Sequence, residues 1–541
     1  MPYALVVLLL AVALGQGGYA PWATFALELG TVSLALWVVL EVLWSSRPAD
    51  RDRFLQQQRV RKRLPFLARH PALGRLLHRL SLGRFPRRSA FLEVDIFPPG
   101  SQDSEPISDF WLIQGYAFRR TGLGVPLLCF TLWIVLSLVP WSNDSLATLS
   151  PRAGAVRSEA ESLLASELPR SALTCWSLTP FLTLRSFWLW LSYLGLFYVS
   201  FYLARNRERV QVLARLLLLL GVGFGAYGMT QWVLGVQQLL QDGAQAARPL
   251  ARASFDNRNH YAAFMEMLLL CGLGWLGSRW VSVPSRRGGC SREMTRVVQE
   301  VRARLSLAGL GIVILSLGLV FSLSRSGITF ALAGCSAFAF LTRRITEPPA
   351  DPQGPLDLPQ RRNAGSRGKR AGRIYVAVIL IVLGTTVWMG IEPVIARFEM
   401  LPGDWNAEMG RWQVWADSAA ATRDFWLTGA GLSSFRYVFP TYRSFSGRVS
   451  YSWAHNDYLQ LLFELGIPGL LLLLWIMFRV AIDGGRVRAS LSRHPSLGLL
   501  HSGYCAAALA IGLHSFTDFS LHMPANAALL SVIVAVIVGM R

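Results

Sequence analysis

Residues 451–474, "YSWAHNDYLQLLFELGIPGLLLLL", set His455, Asn456, Asp457 and Glu464 at the mouth of a leucine-rich run. An imidazole with an ordinary pKa near 6.5 suits general-base work at neutral pH. Asp457 or Glu464 could orient that ring or raise its basicity. The bland alternative is a helix cap at His455, but a carboxylate about one turn inside an apolar span is rare and usually paired. Three further clusters carry charge. "SLSRSG" (322–327) puts Arg325 between two apolar blocks, either snorkelling at a tight turn or gripping an anion. "GRWQVW" presents Arg411 beside Trp412 and Trp415, as in an interfacial helix or an anion site. "ASFDNRNHYAAF" (253–264) crowds Asp256, Asn257, Arg258, Asn259 and His260, serving as a helix cap or as a substrate contact. His514, Asp518 and His522 are spaced by four, a weak candidate for a metal face.

These residues need a scaffold, and composition supplies its class. The chain has 541 residues, 52% of them hydrophobic and 16% charged, where soluble domains carry roughly 25% charged. Apolar blocks near 3–20, 22–44, 122–140, 187–204, 211–235, 260–282, 305–322, 324–342, 374–391, 460–481, 498–514 and 524–540 make about twelve transmembrane helices in an all-α polytopic membrane protein. The first block has a small-residue "GYA" after it but no Lys or Arg before it, so it reads as a retained span. The six Cys are scattered with no CxxC, which indicates neither a disulfide framework nor a metal site.

The net charge of +21 is mostly Arg lying between the apolar blocks, a topology signal rather than a nucleic-acid footprint. Alternate loops divide 38 basic residues against 14, with Arg215 inside a span. The basic side is therefore cytoplasmic, both termini with it, and anionic lipids are partners there. On that side, 54–85 reads as an amphipathic surface helix and 347–373 as a Pro- and Gly-rich linker. On the other side, 151–170 reads as a short amphipathic helix and 392–459 is the longest insertion, with a helix over 410–426. No P-loop, GxSxG or Rossmann fingerprint occurs, which excludes nucleotide-driven chemistry.

The ordered set "SFDNRNHYA", "SLSRSG", "GRWQVW", "AHNDYLQLLFELGIPG" and the closing "DFSLHMPAN" resembles the O-antigen ligase/polymerase family of bacterial inner-membrane glycosyltransferases, over roughly 187–540. The resemblance implies a GT-C-like fold with a large periplasmic loop between helices 9 and 10. Residues 1–186 then form an N-terminal region carrying the 45–121 cytoplasmic insertion and a periplasmic segment, 141–186. It also implies transfer of glycan from undecaprenyl pyrophosphate to an acceptor hydroxyl on a glycan, lipid or protein, without nucleotide, cofactor or metal. His455 would be the base, Arg325 and Arg411 the pyrophosphate grip, with Arg258 a further candidate. Asp457, Glu464 and Asn456 would support the base. A transporter or channel for a small anion such as bicarbonate is the rival class. It would require polar residues at several span midpoints and repeat symmetry, which the sequence lacks.

Overall fold

In the computed structural model, every residue is described here except 19, 46–109, 114–115, 120, 164–172, 237–249, 283–291, 347–378, 381, 389, 400–410, 446–450 and 541. The surface helix expected over 54–85 and the linker over 347–373 lie outside the described residues. The chain divides into two compact units, Thr31–Val125 on the one hand and Met1–Gly30 with Pro126–Arg541 on the other. In the smaller unit, β1 (Phe110–Ile113) pairs antiparallel with β2 (Tyr116–Arg119).

Helix dominates the described residues. Among the described residues, eight helices are long and apolar enough to cross a membrane. They are α2 (Pro21–Ser45), α6 (Pro180–Ala204), α7 (Arg207–Leu234), α8 (Arg258–Val281), α9 (Arg292–Val320), α10 (Arg325–Thr346), α14 (Asp457–Ser490) and α15 (Pro495–His514). Three apolar helices are shorter: α1 (Pro2–Leu14), α3 (Gly124–Leu136) and α16 (Pro524–Gly539). At 13 residues, α1 and α3 rise only about 20 Å, less than a hydrocarbon core of about 30 Å. These eleven coincide with eleven of the expected blocks, and within the twelfth the described stretches 379–380 and 382–388 are helical.

Helix α8 is the hub. Its apolar window is 94% buried, against 67% for α15 and half or less for the others. It packs most closely on α15, where Gly274 and Gly503 meet: a Cβ on Gly503 would stand 2.6 Å from the Leu270 carbonyl. Without side chains at the crossing the two backbones touch, the usual device of helix pairing in lipid. The same interface holds Glu266 against His514, whose Nδ1 lies 3.2 Å from both carboxylate oxygens, with both side chains fully buried.

Between the spans lie shorter elements: α4 (Asn143–Leu149), α5 (Pro151–Leu163), α11 (Glu392–Glu399), α12 (Arg411–Ala421) and α13 (Phe435–Val438). The two-residue strands β3 (Trp141–Ser142) and β4 (Leu173–Thr174) pair antiparallel. Residues 411–445 fold around their own core, in which Val414, Phe425, Phe435 and Phe439 close on Ala454 and on Phe463 of α14. Residues 411–445 are thus a packed cap over the first turns of α14.

Candidate active site

The first turns of four helices converge on one hairpin, residues 515–523, between α15 and α16. From α8, Asn259 donates to Asp518 Oδ2 at 2.5 Å. From α10, Ser326 Oγ lies 3.1 Å from the Thr517 hydroxyl. Arg411, the first residue of α12, donates Nη1 to the Thr517 carbonyl at 2.5 Å and holds Nη2 3.5 Å from Asp518 Oδ2. From α14, the Asp457 N–H donates to the Ser515 carbonyl at 2.8 Å, and Asp457 Oδ2 accepts from the Leu521 N–H at 3.2 Å. Asn257, Ser324 and Asn456 cap three of these helices, and the partial positive charge of the helix N-termini favours an anion such as the Asp518 carboxylate at their meeting point.

His455 stands at this junction. Its Nδ1 is 3.5 Å from Asp518 Oδ1 and makes no hydrogen bond among the described residues, and its side chain is 23% exposed. That separation is at the long limit of a hydrogen bond, common for catalytic pairs before substrate closes them. The backbone at His455 is left-handed, with φ +52. Its neighbour Ala454 is clamped on both sides: the N–H donates to Gln460 Oε1 at 3.0 Å, and the carbonyl accepts from Trp415 Nε1 at 2.9 Å. Asn456 then caps α14, its Oδ1 accepting from the Tyr458 and Leu459 N–H groups at 3.1 and 3.0 Å. Among the described residues the other non-glycine positions with positive φ are Ala253, Leu323 and Ser433, and all lie in the segments that bracket the site. Strain of this kind, of order 1–3 kcal/mol each, persists only where surrounding contacts enforce it.

Asp518 is the electrostatic centre. Burial opposes its ionisation, yet His455, the Arg411 guanidinium and His260 (Nε2 at 3.9 Å) outweigh that and hold the carboxyl far below the usual range. Its Oδ1 also accepts from the Phe519 N–H at 2.9 Å. These partners therefore favour the charged carboxylate. It is placed to keep a proton on His455 Nδ1 and leave Nε2 as the basic nitrogen, the orienting role a buried Asp plays toward a catalytic imidazole.

The expected supports of His455 do other work. Asp457 faces a different imidazole, accepting from His522 Nδ1 at 2.7 Å. Burial alone would lower the pKa of His522, but Asp457, with Glu464 behind it, raises it. Glu464 lies deeper, its oxygens taken by the N–H groups of Ser433 (2.7 Å) and Phe435 (3.3 Å) and by Gln460 Nε2 (3.0 Å). It thus reaches His455 only through Gln460 and Ala454. Trp415 anchors Ala454 instead of lying wholly in a membrane interface, while Trp412 is 62% exposed. Arg325 and Arg258 are half-buried first residues of α10 and α8, each adjacent in sequence to a residue that touches the hairpin. The metal face suggested by His514, Asp518 and His522 does not form, because the three turn to Glu266, His455 and Asp457 respectively. The helix that would align them stops at His514.

Sequence spacing missed Asp518 as the partner of His455, and missed Thr517 and Ser326 altogether, whereas Asn259 stood among the residues singled out ahead of α8. One signal was present: three of the eight histidines, 260, 455 and 522, fall within the quoted motifs, and His514 lies four residues before the last of them.

The architecture is that of a polytopic membrane protein whose ionisable residues gather where helix N-termini meet. The family model described as O-antigen ligase matches residues 310–474, which supports the resemblance to the O-antigen ligase/polymerase family. The matched segment includes Arg325, Arg411, His455, Asn456, Asp457 and Glu464, whereas Arg258, Asp518 and His522 fall outside it. No curated protein matches the chain.

Proposed function

We propose that the chain is a bacterial inner-membrane glycosyltransferase that ligates or polymerises glycan from an undecaprenyl-pyrophosphate donor onto an acceptor hydroxyl. The site would face the periplasm, with both termini cytoplasmic. His455 Nε2 takes the proton of the acceptor hydroxyl as its oxygen attacks sugar C1, and the bond from C1 to the pyrophosphate oxygen breaks. Negative charge then grows on the leaving pyrophosphate. Arg325 and Arg411, with Arg258 at the α8 start, offer forked donors of fixed charge to it. A positioned base contributes about 10²–10⁴-fold, and each preorganised donor about 10²–10³-fold. The polyprenyl tail stays among the spans, which accounts for a site at helix mouths.

The observation that carries this reading is the His455–Asp518 pair with Arg411 bound to the same hairpin. The test is a deletion strain complemented with His455→Ala. The expected result is loss of surface glycan at normal protein level. Full-length surface glycan in that strain would remove the base assignment, and unchanged glycan with altered anion uptake would favour a transporter.

A further inference from the structure

A second histidine–carboxylate pair lies beside the first and has no part in the chemistry above. His522 and His455 flank a two-ring stack. Trp453 lies nearly parallel to Phe519, centroids 5.3 Å apart at 12°. The His522 ring is 4.8 Å from Trp453, and the His455 ring 4.7 Å from Phe519. Phe519 is buried while Trp453 is half-buried, so the indole is the layer that reaches outward.

Asp457 takes the Nδ1–H of His522, leaving Nε2 without a hydrogen-bond partner among the described residues on a side chain 22% exposed. The Trp453 indole N–H likewise makes no hydrogen bond among them. A flat apolar ring with directed polar groups at its edge matches one ligand chemistry well, a pyranose with its C–H face and a rim of hydroxyls. Aromatic faces cover apolar surface at small entropic cost, and a few placed polar groups set orientation.

We propose that Trp453 and His522 form a sugar-binding subsite for the glycan residue next to the one undergoing transfer, with Asp457 fixing the His522 ring. This rests on the glycosyltransferase reading above and names where its substrate is held. The Trp453 ring stacks on the sugar and His522 Nε2 hydrogen-bonds a ring hydroxyl, two rings away from the base. Such contacts are made equally in ground and transition states, so they act on KM.

The full-length protein in proteoliposomes is assayed with lipid-linked glycan extracted from the deletion strain, measuring initial rates against glycan concentration. His522→Gln and Trp453→Ala are expected to raise KM about tenfold, the worth of one lost hydrogen bond or stacking contact, with kcat within about twofold. Trp453→Phe, which keeps a ring on Phe519, is expected to restore most of the loss. Unchanged KM in His522→Gln and Trp453→Ala, or reduced kcat with unchanged KM, overturns the subsite. His455→Ala run alongside separates the two readings. If it is inactive while the subsite variants behave as wild type, only the subsite falls; if the wild-type protein itself transfers no glycan, the glycosyltransferase reading falls and takes the subsite with it.

Discussion

A single buried carboxylate decides how His455 is used. Asp518→Asn keeps the side-chain shape but removes the charge that fixes the imidazole tautomer and balances Arg411. The transfer rate is expected to fall about 10²-fold or more with KM little changed, measured by the same proteoliposome assay; near-normal kcat would leave Asp518 a packing residue. The other pair has a pH signature. The pKa of His522 is raised in the fold, so its contribution to stability is complete below the unfolded value of about 6.5 and is lost as pH rises through the folded value. Asp457→Asn should therefore lower the thermal midpoint most at mildly acidic pH and least at pH 9, and a pH-independent difference would contradict it. The proposed base, His455, and the acids Asp457 and Glu464 stand together in "AHNDYLQLLFE". Which acid serves which histidine could not, since Asp518 reaches His455 only through the fold of the last hairpin.

The elements hold the site because one of them is broken. Helix α14 is interrupted at Gly466 (φ +68), and Pro468 offers no N–H to the preceding turn. Carbonyls left over by the break are taken from outside: Ala430 N–H donates to Phe463, Gly431 N–H to Glu464 and Trp133 Nε1 to Leu465, at 3.0, 2.9 and 2.9 Å. The Ile467 N–H goes to the Trp426 carbonyl at 2.7 Å. The cap over α14 is therefore bonded to helix backbone, and Gly429 sits at the seam with φ +72 and room for no side chain, a Cβ there meeting the Glu464 carbonyl at 2.2 Å. Gly429→Ala combines left-handed strain with a backbone clash, and is expected to cost about 3 kcal/mol or more. Little monodisperse protein should be recovered in detergent. Gly223→Ala, where a Cβ meets nothing within 4 Å, should be recovered as wild type. If both variants behave alike, the seam does not hold the cap. The expected span over 460–481 ran unbroken through Gly466 and Pro468, and the partners of the freed carbonyls were not legible either, because local sequence says nothing of what packs alongside.

At the scale of the whole molecule, hydrophobic blocks and charge were the most legible features, since lipid demands long apolar helices and leaves loops to carry the Arg. The lengths of α1 and α3 were not legible: both apolar blocks run past the residues that stay helical, and Gly17 and Gly18 bend the chain after α1 at φ +71 and +91. The orientation expected from the 38-to-14 division of basic residues can be tested directly. Trp412, 62% exposed on α12, belongs to the expected periplasmic cap; Arg486, with a side chain 70% exposed near the far end of α14, belongs to the expected cytoplasmic side. In a background with the six native cysteines replaced, Trp412→Cys should react with a membrane-impermeant maleimide on intact spheroplasts. Arg486→Cys should react only after permeabilisation. The opposite pattern would turn His455 and the converging helix N-termini toward the cytoplasm and remove the periplasmic glycan-transfer reading, whereas the expected one sets the base at the depth where a lipid pyrophosphate meets its acceptor.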